Sequence, residues 1–125
     1  MREVGTLYEA VGGMPFFERL VGRFYEGVAG DEALRPLYPE DLRPPARHLA
    51  LFLAQYWGGP TTYDEERGHP RLRMRHAPFA IGADARDRWL VHMRASLDEF
   101  TLPDDARDAL LEYFAMAAEA MRNAD

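Results

Sequence analysis

Phe16, Phe17, Leu20, Val21, Phe24, Tyr25 and Val28 recur at the spacing of three and four residues that gathers side chains on one face of a helix. A face this broad has to be buried against other helices, and that commits the chain to a packed all-α core. The spacing predicts a helix from about Met14 to Ala29, stopped at Gly30. No run of strict apolar and polar alternation competes with it, so no sheet is expected.

The other elements follow from stop signals and stripes. A short first helix, Thr6 to Val11, ends at Gly12-Gly13. Asp31 is placed to cap a turn that reaches Leu37, and Tyr38-Pro39 breaks the pattern. Pro44-Pro45 opens a helix carrying Leu49, Phe52, Leu53 and Tyr56, because proline is tolerated in a first turn. It ends at Gly58-Gly59-Pro60. Residues Thr61 to Gly68 read as a loop, and Pro70 to Ala77 as a short helix stopped by Pro78. Asp84 to Phe100 forms a longer helix with Ala85, Trp89, Leu90, Met93 and Leu97 inward. Leu102-Pro103-Asp104 starts the last helix, whose stripe is Leu110, Tyr113, Phe114, Ala117 and Met121. At 125 residues, one domain spanning 1–125 is expected.

Composition removes whole classes of function. There is no cysteine, which excludes thiolate catalysis, iron–sulfur clusters and cysteine zinc sites. All 15 basic residues are arginine, so lysine Schiff bases and lysine phosphate sites are excluded too. The formal net charge of −6 makes nucleic acid a poor partner. No stretch is apolar enough to span a membrane, and the N-terminus lacks a signal-peptide core, so a cytoplasmic protein is expected.

A metal would then be held by His, carboxylate, Tyr or Met. Of His48, His69, His76 and His92, two features set His76 apart. It ends a short helix, and Pro78 fixes the chain just after it. Arg71, Arg73 and Arg75 alternate there with Leu72 and Met74, followed by Phe79. A haem would explain the mixture, because its macrocycle wants apolar walls, its propionates want arginine and its iron wants an imidazole. A solvated basic helix with an incidental histidine explains it as well, and local chemistry leaves both open. His69 and His76 are seven apart, but Pro70 argues against one continuous helix under both. His48 and His92 read as ordinary, partly exposed helix residues.

Tyr25, Tyr38 and Trp89 place hydrogen-bond donors on apolar faces. Each taken alone would be satisfied by a backbone carbonyl. Turned together into one pocket, they would stabilise the partial negative charge on the outer atom of a diatomic haem ligand, as an oxyanion site does.

These residues resemble the truncated haemoglobins, specifically group II, over nearly the whole chain. The most specific stretch is Gln55-Tyr56-Trp57-Gly58-Gly59-Pro60, then Tyr63, then Arg67-Gly68-His69-Pro70-Arg71-Leu72-Arg73-Met74-Arg75-His76, then Pro78-Phe79. Arg23-Phe24-Tyr25, Tyr38-Pro39 and Asp87 with Trp89 support it. The resemblance implies a shortened globin, a two-over-two helical sandwich around haem b, with His76 as the metal ligand. Tyr25, Tyr38 and Trp89 become the distal residues that stabilise bound ligand. Where ordinary globins carry a distal histidine, this chain has Pro44, Pro45 and Ala46, none of which donates from its side chain. Ala46 is then expected to leave a path for ligand entry. Leu49 is expected to turn toward the haem and His48 away from it. Candidate haem contacts are Leu49, Phe52, Leu53, Tyr63, Leu72, Arg73, Arg75, Phe79, Ile81 and Met93, with Tyr63, Arg73 and Arg75 toward the propionates.

The partners implied are dioxygen and other small gaseous or anionic ligands (carbon monoxide, nitric oxide, cyanide, sulfide), an external reductase and, as an option, a second copy of the chain. Two uses of bound dioxygen stay open: reversible binding, or redox turnover as a nitric oxide dioxygenase or peroxidase. A haem-free helical interaction module is the reading from another class.

Overall fold

The computed structural model describes residues 6–77 and 79–124, apart from the side chains of Leu72 and Arg73. The candidate contacts Leu72 and Arg73, and the stop signal Pro78, therefore lie outside what is described. Among the described residues seven α-helices follow in chain order: α1 Leu7–Ala10, α2 Met14–Ala29, α3 Arg43–Tyr56, α4 Thr62–Arg67, α5 Leu72–His76, α6 Ala83–Leu97 and α7 Asp104–Met121, with a 3-10 turn Arg35–Leu37 between α2 and α3. No strand occurs among the described residues. Helix α2 packs on α3 and α6, and α6 on α7, which makes a two-over-two helical sandwich.

The predicted stripe of α2 is the centre of the core. All seven of its apolar residues are buried, and Phe17, Leu20, Phe24 and Val28 have no exposure at all. Against them lie Ala50, Leu53 and Ala54 of α3, Met93 and Leu97 of α6, and Leu110 and Phe114 of α7. The close approach of α2 and α6 depends on small or matched groups. Ser96 is buried and donates its hydroxyl to the Leu20 carbonyl at 2.6 Å. Gly27 leaves room for the His92 ring, since a Cβ there would sit 2.4 Å from His92 Nδ1.

Helix ends follow local chemistry. Thr6 and Glu9 form a capping box on α1. In α3, Pro44 and Pro45 occupy the first turn, where their missing N–H groups cost nothing. One element departs from expectation: residues 62–67, predicted as loop, form α4. Its sequence is polar except for Tyr63, so no apolar stripe announces it. It is held by burial of Tyr63 and by Gln55 Oε1, which accepts from the Asp64 N–H at 3.0 Å.

Asp31 locks the end of α2 to α6. Its Oδ1 accepts from the Ala33 and Leu34 N–H groups at 2.9 and 3.1 Å and from Arg88 at 3.2 Å, while His92 Nε2 donates to Oδ2 at 2.7 Å. His92 is thus a tie between helices rather than an ordinary surface residue. The His92 hydrogen bond, then the two backbone donors and the Arg88 charge, pull the Asp31 carboxyl from 3.8 down to about 2. A depressed carboxyl contributes its stability in full above 3.8 and loses it as the pH falls toward 2. Asp31→Asn is therefore expected to flatten the fall in denaturant midpoint across that window. Curves of equal slope for variant and wild type would remove Asp31 as a source of acid sensitivity.

Candidate functional site

The sandwich forms an open-mouthed cavity of about 410 Å³, in the range of small-molecule and cofactor sites. Of the candidates named from the sequence, Tyr25, Tyr38, Trp89, Leu49, Phe52, Leu53, Tyr63, Arg75, His76, Phe79 and Ile81 all line it. They come from five helices and two loops, so the fold brings together residues up to 64 positions apart, from Tyr25 to Trp89. Met93 is corrected. It is fully buried in the core and does not line the cavity, because it lies one turn further along α6 than Trp89, where α2 covers the helix.

One wall is a cluster of hydroxyl and indole groups. The Tyr25 and Tyr38 rings meet edge to face, with centroids 5.5 Å apart. Trp89 lies on the same wall, and its indole only partly offsets the burial that pushes Tyr38 up to about 12. Burial, with Tyr38 beside it, pushes Tyr25 up further still. Both phenols therefore stay protonated, as donors, at any ordinary pH. Phe24 backs the cluster, its ring 5.0 Å from Tyr25 and 5.2 Å from Trp89.

The edge near α4 and α5 is cationic. Arg67 lines the cavity, lies with its guanidinium 6.0 Å from the Tyr63 ring centre and donates through Nη1 to His48 Nε2 at 3.1 Å. Arg67 Nε is buried without a hydrogen-bond partner among the described residues, so this edge is short of an acceptor. Arg75 lines the same edge and donates to the backbone carbonyls of Pro70 and Arg67 at 2.8 and 3.4 Å.

His48 also faces the cavity, contrary to the expectation that Leu49 alone would turn inward from that part of α3. The cavity is wide enough to take both neighbours of the helix surface. Burial and then the Arg67 charge push the His48 pKa down, which keeps the ring neutral and able to accept from Arg67. Ala46 is not a lining residue; Pro45 is, so the structure offers no support for an entry path at Ala46.

His76 is the last residue of α5 and lines the cavity on the side of Phe79 and Ile81. The break expected before it is real: Arg71 adopts a left-handed conformation, φ 47°, so His69 and His76 do not share one helix. Sequence reading missed Arg67 and Arg86 as lining residues, and Tyr113, Phe114, Ala117 and Met121 of α7. The last four were legible as an apolar stripe, but a stripe does not say whether it faces core or cavity. Among the described residues no cluster of His and carboxylates could hold a free metal ion, so the histidines serve singly.

Paired helices, two over two, around an apolar cavity that histidines border and arginines rim, define a globin. The chain belongs to the bacterial-like globin family, which matches residues 6–123, and within it to the group II truncated haemoglobins. It is 42% identical to the group 2 truncated haemoglobin YjbI of Bacillus subtilis over 116 residues, 93% of this chain and 87% of that one. It is similar to the crystal structure of a thermostable haemoglobin from Thermobifida fusca, with 61% identity, TM-score 0.93, and coverage of 95% of this chain and 98% of that chain. A truncated oxygen-avid haemoglobin from Bacillus subtilis superposes with TM-score 0.90 at 41% identity, covering 95% and 100% of the two chains.

Haem is the cofactor that the globin family implies. The residues present fit it. Most of the lining is apolar or aromatic, His76 offers an imidazole, and Arg67 offers a buried N–H that lacks an acceptor and would be satisfied by a carboxylate.

Proposed function

We propose that the chain is a haem b protein that binds dioxygen, and with it carbon monoxide, nitric oxide, cyanide and sulfide, and that Tyr25, Tyr38 and Trp89 stabilise the bound ligand. When bound, the haem supplies an iron that takes a small ligand and shifts negative charge onto it. His76 holds the group from its side of the cavity. Leu49, Phe52, Leu53, Phe79 and Ile81 exclude water from it, and Tyr63, Arg67 and Arg75 serve its carboxylates.

The observation that carries this reading is the convergence of Tyr25, Tyr38 and Trp89 on one wall of the cavity, with the Tyr25 ring packed on Tyr38. Tyr25 and Tyr38 supply two phenols held protonated by burial, and Trp89 supplies an indole N–H beside them. The avidity stated for the Bacillus subtilis structure agrees with such a donor set. The proposal extends to an external reductase that keeps the iron ferrous, and to a cytoplasmic setting for both.

Absorption spectra of the purified protein, with and without dithionite and carbon monoxide, test the haem reading. A protein lacking a Soret band would sink it. Trp89→Phe tests the donor set. It removes one hydrogen bond toward a charged acceptor, worth about 1–3 kcal/mol, so dioxygen release is expected to quicken roughly 5- to 150-fold. Release at the wild-type rate would remove Trp89 from the stabilising set. Nitrate formed when nitric oxide meets the oxygenated protein would extend the role to turnover.

A further inference from the structure

The segment after His76 is held from the far end of the chain. Asn123 commits its whole carboxamide to it. Nδ2 donates to the Phe79 carbonyl at 2.8 Å and to the His76 carbonyl at 3.3 Å, and Oδ1 accepts from the Ile81 N–H at 2.8 Å. The backbone joins in, with the N–H groups of Asn123 and Ala124 both donating to the Ile81 carbonyl, at 2.8 and 3.1 Å.

This attachment matters because α5 cannot hold itself. It has five residues, too few for a self-supporting helix. It is entered through the left-handed Arg71, with no side-chain cap. His76 is its last residue, and the last carbonyls of a helix have no partner inside it. The His76 carbonyl is satisfied from outside, by the Phe79 N–H at 3.0 Å and by Asn123.

We propose that Asn123 is a positioning residue for His76: its carboxamide fixes the C-terminal end of α5 and the turn to Ile81, and so the aim of the imidazole into the cavity. Phe79 and Ile81, two further lining residues, are set by the same clamp. The proposal rests on the reading of His76 as haem ligand. It adds that the strength and geometry of that bond are controlled from the residues just beyond α7, 47 positions away in sequence.

Asn123→Asp is the sharpest test. It keeps the size of the side chain and an acceptor for Ile81, but replaces the donor to two carbonyls with an oxygen. Asn123→Ala removes donor and acceptor together. Both variants are expected to lose haem to an acceptor apoprotein about tenfold faster than wild type, as removal of an outer partner of a metal ligand does. Both are also expected to shift or broaden the iron–imidazole stretching band in resonance Raman spectra of the ferrous protein. Wild-type transfer rates with an unchanged band would overturn the proposal. So would faster haem loss accompanied by a lowered unfolding midpoint and an unchanged band, because the clamp would then be a general support. Failure of the underlying haem reading looks different: the wild type itself would lack a Soret band, or His76→Ala would keep it.

Discussion

His76→Ala is expected to yield a folded protein that does not retain haem. The imidazole contributes little to the core, which is built on α2 and its neighbours, so far-UV circular dichroism should report the same helix content. Haem retention should fall by more than the roughly 10- to 100-fold that loss of a mere outer partner costs. The ratio of Soret to protein absorbance after desalting measures it, and added imidazole should restore part of the band by entering the vacated space. The structure also supplies the control. His48 faces the same cavity, so it is the histidine that could ligate in place of His76. It is neutral and engaged with Arg67, and His48→Ala should keep a wild-type iron–imidazole bond. A normal Soret band in His76→Ala, lost in His48→Ala, would reverse the assignment.

What the sequence disclosed and what it hid follow one physical line. Periodicity reports that a face is buried, and it placed α2 to the residue, Met14 to Ala29. It does not report what the face is buried against. Met93 and Trp89 belong to one stripe on α6, yet one lies in the core and the other at the cavity. The same blindness applied to His48, whose neighbour Leu49 seemed to claim the inward register. Helix α4 was hidden for the opposite reason: it buries one residue, Tyr63, and is otherwise polar. Asn123 was not legible at all. Its partners lie 42 to 47 positions away, and a single amide near the end of a chain leaves no periodic trace.

Phe24→Ala should give the largest loss of stability among single changes near the site. The ring is fully buried, contacts Tyr25 and Trp89, and lies on the helix that packs on both α3 and α6. Truncating it removes the transfer energy of the ring and leaves a cavity that rigid neighbours cannot fill, at a cost of about 3–5 kcal/mol. For a chain of this length that corresponds to a fall in melting temperature of about 10–20 °C. The effect should also reach the ligand. Phe24 does not line the cavity, but it backs Tyr25 and Trp89, and without it both side chains lose their support. Dioxygen release should therefore quicken in Phe24→Ala even though no donor has been removed. Phe24→Leu, which refills most of the volume, should recover much of the stability. If Phe24→Ala lowered the melting temperature as expected but left dioxygen release unchanged, the distal residues would be held without the Phe24 ring, and the core behind them would have no part in ligand control.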